Sequence, residues 1–308
     1  YDARLEATMP RTLDDRIVII DIDEKSLAEL GRWPWGRNKL AELVDTLFLD
    51  QQVAVLGFDV VFAEADESSG LARLNQLAKQ ELKDYPGFSE RLKQLQPELD
   101  FDAAFARAIA NRPVVIVYYL TSDKEGRSSG VLPVPVLPGS ALQGRQIKAT
   151  SWTGYGANIE QLALSAPMAG FFNSITDGDG VVRSLPLLAE HKGDYYESIA
   201  LAMFRVIAGM PTVAPGFSNE RFIAKPYQGM DRVLLKQGNK ALAIPVDERV
   251  ATLVPYRGYG GVSGGSFRYI SATDVVNKRL PSGALKDKVG LLGTTAPGLL
   301  DLRVTPVG

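Results

Sequence analysis

Arg16-Ile17-Val18-Ile19-Ile20-Asp21-Ile22-Asp23 decides the fold. A continuous apolar run that ends in carboxylates suits a strand covered on both faces. Working outward, Lys39–Leu49 places Leu40, Leu43, Val44, Leu47 and Phe48 at helical spacing. Val53-Ala-Val-Leu-Gly-Phe-Asp-Val-Val-Phe then reads as a second buried strand. Strand, helix, strand in this order is a βαβ unit with a parallel pair.

Beyond residue 64 the chain turns polar. Residues 64–100 read as a helical excursion on the surface, with Pro86-Gly87 as punctuation. Asp100–Asn111 has an apolar stripe (Phe101, Ala104, Phe105, Ala108, Ile109) and reads as a helix. Pro113–Leu120 reads as a third buried strand. Residues 121–138 are rich in Gly, Pro and Ser, which marks turns. Between about 150 and 262 the apolar runs shorten, with strands predicted at 181–188, 232–235, 241–244 and 251–255 and a helix at 197–207. Ser271–Lys278 reads as a short helix and Lys288–Gly293 as a last buried strand. The expected fold is α/β: a mostly parallel sheet flanked by helices, from about 12–120 and 268–308. A β-rich middle insertion or lobe spans about 150–262, all within one domain.

Composition closes off several chemistries. The chain has 308 residues, 45% hydrophobic and 23% charged, which is enough apolar material for a sizeable core. Lys+Arg 34 against Asp+Glu 36 leaves no basic excess for nucleic acid. With Cys 0, thiolate zinc sites, iron–sulfur clusters, cysteine nucleophiles and disulfides are excluded. The one histidine, His191, is expected at the surface. No apolar run is long enough to span a bilayer as a helix. Tyr1 opens the chain with no initiator Met or signal peptide, and both ends read as cut points in a longer chain.

Four strings carry possible chemistry. Asp21 and Asp23 end the first strand and Asp59 the second, where open α/β sheets form their binding crevice. Clustered carboxylates there could hold a divalent cation, or could cap the next helix and pair with Arg32 and Arg37. The Asp-x-Asp also resembles haloacid-dehalogenase-type phosphohydrolases, but Lys25 stands where that signature wants Thr or Val. Gly31-Arg32-Trp33-Pro34-Trp35-Gly36-Arg37 is either an aromatic ligand shelf or a packed corner with Arg stacked on Trp. Asp177-Gly-Asp179-Gly-Val-Val-Arg183 lacks the rest of a calcium loop and reads as a turn opening a strand. Gly293-Thr294-Thr295-Ala-Pro-Gly298 is either an anion cradle or a plain turn, and the 258–265 glycines read as flexible linkage.

In order along the chain, these strings resemble the type-two CHASE domain. The matching features begin with the Asp21 and Asp23 strand, Gly31–Arg37, Gly57-Phe-Asp59-Val-Val-Phe and Asp177–Arg183. Then come Glu197-Ser-Ile-Ala-Leu, Tyr256-Arg-Gly258, Tyr269-Ile-Ser-Ala-Thr-Asp274-Val and Lys288–Pro306. Gly36, where a second proline is common, and the 64–100 addition depart from the pattern. The resemblance implies a sensory module outside the bacterial cytoplasmic membrane, with transmembrane helices at both ends. It implies a cytoplasmic output that is commonly a class III adenylate or guanylate cyclase, otherwise a kinase or diguanylate cyclase, and a homodimeric receptor. No catalysis and no cofactor are expected in this chain. Its partner is expected to be a small ligand or an envelope factor. The ligand-binding candidates are Asp21, Asp23, Asp59, Thr294, Thr295 and Asp301. Arg32, Trp33, Trp35, Arg37, Asp179 and Arg183 are the structural or interface candidates.

Overall fold

A computed structural model describes residues 1–123, 125–217, 229–261, 265–296 and 304–307. The first half runs α1 (Asp2–Thr8), β1 (Asp14–Ile22), α2 (Glu24–Leu30), α3 (Arg37–Asp45) and β2 (Val55–Phe58). The polar stretch forms α4 (Leu71–Lys79) and α5 (Pro86–Leu99), followed by α6 (Phe101–Ile109) and β3 (Val114–Thr121). Next come β4 (Ser128–Ser129), β5 (Gly154–Gly156), α7 (Glu160–Ser165), β6 (Met168–Phe171), β7 (Ser184–Pro186), β8 (Leu188–His191) and β9 (Asp194–Glu197). The chain continues through α8 (Ile199–Ile207), β10 (Thr212–Phe217), β11 (Met230–Gln237), β12 (Lys240–Pro245) and β13 (Ala251–Leu253). It ends with β14 (Phe267–Ser271), α9 (Ala272–Val276) and β15 (Val289–Thr294).

The main sheet has the order β14-β1-β15-β2-β3-β5-β4, with β6 paired to β3. Strands β14, β1, β15, β2, β3 and β6 are parallel, whereas β5 pairs antiparallel with β3 and β4 runs parallel to β5. The predicted mostly parallel, helix-flanked sheet is therefore the fold. Two of its strands, β5 and β6, come from inside the 150–262 range that reads as a lobe. Their sequences, Gly-Tyr-Gly and Met-Ala-Gly-Phe, are too short and glycine-rich to announce strands.

One face of the sheet carries the main core. Leu40, Leu43, Val44 and Leu47 from α3 and its π-helical extension join Phe105 and Ile109 of α6 over Val18, Ile20, Leu56 and Phe58. Phe58, Phe62 and Phe105 form an edge-on trio with centroids 5.0–5.8 Å apart. Each such fully buried side chain contributes about 1.5–3 kcal/mol of transfer free energy. On the other face α8 lies directly on the sheet, and two glycines permit it. A Cβ on Gly57 would meet Met203 Sδ at 2.5 Å, and one on Gly170 would meet the Ile199 backbone at 2.5 Å. A second core gathers Leu187, Leu188, Leu201, Val213, Val233 and Leu235 between the β8–β9 hairpin and the β10–β12 sheet. His191, expected at the surface, is 3% exposed there; its Nδ1 lies 3.0 Å from Trp152 O and its ring meets Tyr155 edge-on.

Candidate functional site

Parallel pairing brings the ends of β14, β1, β15 and β2 to one edge. Asp21 is in register with Ser271 on one side and Gly293 on the other, and Asp59 donates its N–H to Leu292 O at 2.9 Å. The sequence thus places Asp21, Asp23, Asp59, Thr294 and Thr295 on the carboxyl edge of the sheet, where α/β folds bind ligands.

The bonds at that edge are internal. Asp21 is 1% exposed and accepts from both Thr295 N (2.9 Å) and Thr295 Oγ1 (2.6 Å), each with its own carboxylate oxygen. Burial raises its carboxyl above the usual range, although the Thr295 bonds pull the other way. Asp23 caps α2: its Oδ1 accepts from Ser26 N at 2.8 Å and also from Ser271 Oγ at 2.8 Å. Burial works to raise the Asp23 carboxyl, but these donors outweigh it and leave the group lowered. Buried Ser26 is the centre of the tie, with its Oγ 3.0 Å from Ser271 Oγ and 3.1 Å from Thr273 N. Thr294 Oγ1 donates to Ile22 O at 2.9 Å. The polar set at the strand ends laces β1 to β15 and β14. Ser26, Ser271 and Thr273 are partners that sequence reading did not single out, although Ser271 and Thr273 lie in one of the quoted strings.

Above this edge α2 meets α9 through Lys25–Asp274 (2.5 Å), Arg279–Glu29 (2.7 Å) and Arg279–Asp274 (3.1 Å). Such exposed pairs contribute about 0–1 kcal/mol each. Asp59 has an exposed side chain, and Asp301 lies outside the described residues, as do 262–264 of the glycine loop and 297–303.

Among the described residues, no three His, Cys, Asp or Glu side chains gather as a metal site. A cation at Asp21 and Asp23 would have to displace N–H and O–H donors already in place, so the pair does not fit a divalent ion. The same bonds leave Asp21 no exposed oxygen for a nucleophile of the phosphohydrolase kind.

The tryptophan string is a packed corner. Trp35 is buried in the main core, donates Nε1 to Gly31 O at 2.8 Å and meets Trp33 edge-on with centroids 5.5 Å apart. Arg32 is exposed. Arg37 does not stack on tryptophan; its guanidinium lies 4.5 Å from the Phe62 ring centroid and pairs with Asp102 at 3.4 Å. Its backbone N–H also bonds Asp66, which fixes the start of α3 to the segment after β2.

At the opposite end of the sheet, Asp177–Val181 closes as a turn, with Asp177 N bonded to Val181 O and Gly180 N to Asp177 O. Arg183 then binds three carboxylates: Asp2 (2.7 Å), Asp177 (3.0 Å) and Asp179 (2.7 Å). The Arg183 guanidinium holds the Asp179 carboxyl down to about 2. Val182 N donates to Val304 O at 2.9 Å, and Tyr256 donates to Val182 O at 2.7 Å. The hub joins α1 to the segment 304–307, and Glu6 and Met9 share a cleft of about 660 Å³ with Pro306 and Val307.

Among the described residues the strand ends of the parallel sheet are bonded internally, and α1 and the segment 304–307 meet at its other edge. The chain belongs to the CHASE2 domain family, whose profile matches residues 1–308, the whole chain. That family is one of extracellular sensory domains. No curated protein and no solved structure matches the chain. No helix of the described residues is long and apolar enough to cross a membrane.

Proposed function

We propose that this chain is the periplasmic sensory part of a bacterial inner-membrane receptor. Its two ends continue into transmembrane helices, it pairs as a homodimer, and it regulates a cytoplasmic adenylate or guanylate cyclase. The observation that carries this reading is the Arg183 hub, because one side chain grips α1 through Asp2 while its neighbour Val182 holds Val304. A change of state in the body of the domain would therefore reach both end segments together, as a two-state relay requires. Asp21, Asp23, Thr294 and Thr295 at the strand edge enter the proposal as the latch that holds the state. Ligand contact at this edge is proposed for Asp59 and Asp301.

The test is made in membranes holding the complete receptor. Arg183→Ala should change cyclic nucleotide formation at least several-fold relative to the unaltered receptor, at equal protein level. A reporter fused after Asp84, in the polar excursion, should be active only in its periplasmic form. Activity of the cytoplasmic form would overturn the placement, and phosphotransfer without cyclic nucleotide would assign a kinase output instead.

A further inference from the structure

Beside α8, away from the strand edge, lies a cleft of about 510 Å³. That is the size of small-molecule pockets. Its walls are largely apolar, with Ile116, Leu132, Val136, Leu164, Met168 and Val213 among them. Two ionisable side chains complete the wall: Glu197 at the end of β9 and Arg205 on α8.

The polar groups there are incompletely matched. Glu197 is 3% exposed and accepts from Arg205 Nη1 with one oxygen; its Oε2 has no partner. Arg205 Nε is already engaged by Pro211 O at 2.9 Å. Tyr118, which is not in the wall but on the same strand as Ile116 and 6.5 Å from the Tyr196 ring, is fully buried with an unpartnered hydroxyl. By contrast Asn158, also in the wall, is satisfied at both ends by Phe62 N and Val117 O, each at 2.8 Å. A buried carboxylate oxygen without a donor is costly, and a ligand that brings a donor would remove that cost.

We infer that this cleft binds a small, uncharged molecule with an apolar body and one O–H or N–H donor, the Glu197 side chain turning to bring Oε2, enclosed in this structure, onto the donor. Above about pH 7, where Glu197 is ionised, its charge is already balanced by Arg205, so a neutral donor completes the site where a second cation would leave an unmatched charge. Apolar walls take the body, and the single acceptor selects the donor end. The inference goes beyond the sensory reading, because binding here stands or falls without reference to membranes or cyclase output.

The test titrates the 308-residue chain with 4-phenylbutan-1-ol and with its isomer methyl 3-phenylpropyl ether, by calorimetry and by thermal shift. The alcohol should bind at least tenfold more tightly than the ether. In Glu197→Gln, which turns an amide N–H₂ or a neutral carbonyl toward the donor, that preference should fall to about two-fold or less. Ala163→Trp, which fills the cleft from α7 without touching Glu197, should abolish binding of both and serves if Glu197→Gln does not fold. Equal binding of the two isomers, no binding of either, or unchanged binding in Ala163→Trp would overturn the inference.

Discussion

Two buried acidic groups sit on opposite sides of the sheet's centre and are treated differently. At the strand edge, Asp21 has a donor for each oxygen, both from Thr295. Beside α8, Glu197 has one oxygen on Arg205 and one on nothing. Burial disfavours both anions, and both carboxyls are raised, Glu197 to about 7. The difference lies in what completes the hydrogen bonding. The first set is closed within the chain and acts as structure; the second leaves an oxygen unmatched in a residue that lines a cleft. Acidity alone does not mark a binding site, and unmatched acidity beside a cavity does so more sharply.

The largest effect that would break this comparison is expected at Arg205. Arg205→Met leaves Glu197 buried without its counter-charge and should cost about 3–5 kcal/mol at pH 8, read as a shift of the urea midpoint. The cost should shrink as pH falls, because Glu197 titrates. Its folded-state value, about 7, lies above the ordinary 4.5. Stability linked to this group is therefore full below about pH 4.5 and is lost as pH rises through about 7. The loss is on the order of 3 kcal/mol. The groups that set this value are burial, which drives the shift, and Arg205, which opposes it; Tyr118 on β3 interacts with Glu197 as a neutral hydroxyl. A cost for Arg205→Met that is equal at pH 5 and pH 8 would show that Glu197 is not the group left unpaired.

At the closed site the expected effect is smaller. Asp21→Ala removes the acceptor for Thr295 N–H and O–H at once and should cost about 2–3 kcal/mol, since two half-buried donors lose their partner. Hydrogen exchange should quicken at the β1–β15 end before it does elsewhere. If the change is neutral, the latch reading of the edge fails and Asp21 becomes open to a ligand.

How much of this was legible follows from the range of each interaction. The apolar run Ile17–Ile22 and the stripe on Phe101–Ile109 state their own structure, because a buried strand and an amphipathic helix depend on neighbours in the chain. The carboxylates at the strand ends were legible as a group, because parallel strands bring their ends to one edge. Their partners were not: Ser26 meets Ser271 across 245 residues, and no local pattern announces that pair. Arg37 was expected on its neighbouring tryptophans and lies instead on Phe62, because α6 supplies Asp102 on that side. Glu197 reads in sequence as one acid after two tyrosines. Only the packing of α8, permitted by Gly57 and Gly170, buries it against Arg205.

The smallest expected effect sharpens the comparison most, because it separates shape from charge. Asp23 serves α2 as a cap, and Asn caps a helix about as well as Asp does. Asp23→Ala should cost about 1 kcal/mol through the lost Ser26 N–H bond, with the Ser271 hydroxyl left to re-pair with Ser26 Oγ. Asp23→Asn keeps the acceptor oxygen and should fall within about 0.5 kcal/mol of the unaltered chain. Asp21→Asn should cost more than that. There both oxygens accept, so the amide must keep its oxygen on Thr295 N–H, and the Thr295 hydroxyl must turn from donor to acceptor of the N–H₂. Midpoints for Asp23→Asn and Asp21→Asn that coincide would mean that the two aspartates are held by charge and not by the count of their acceptors.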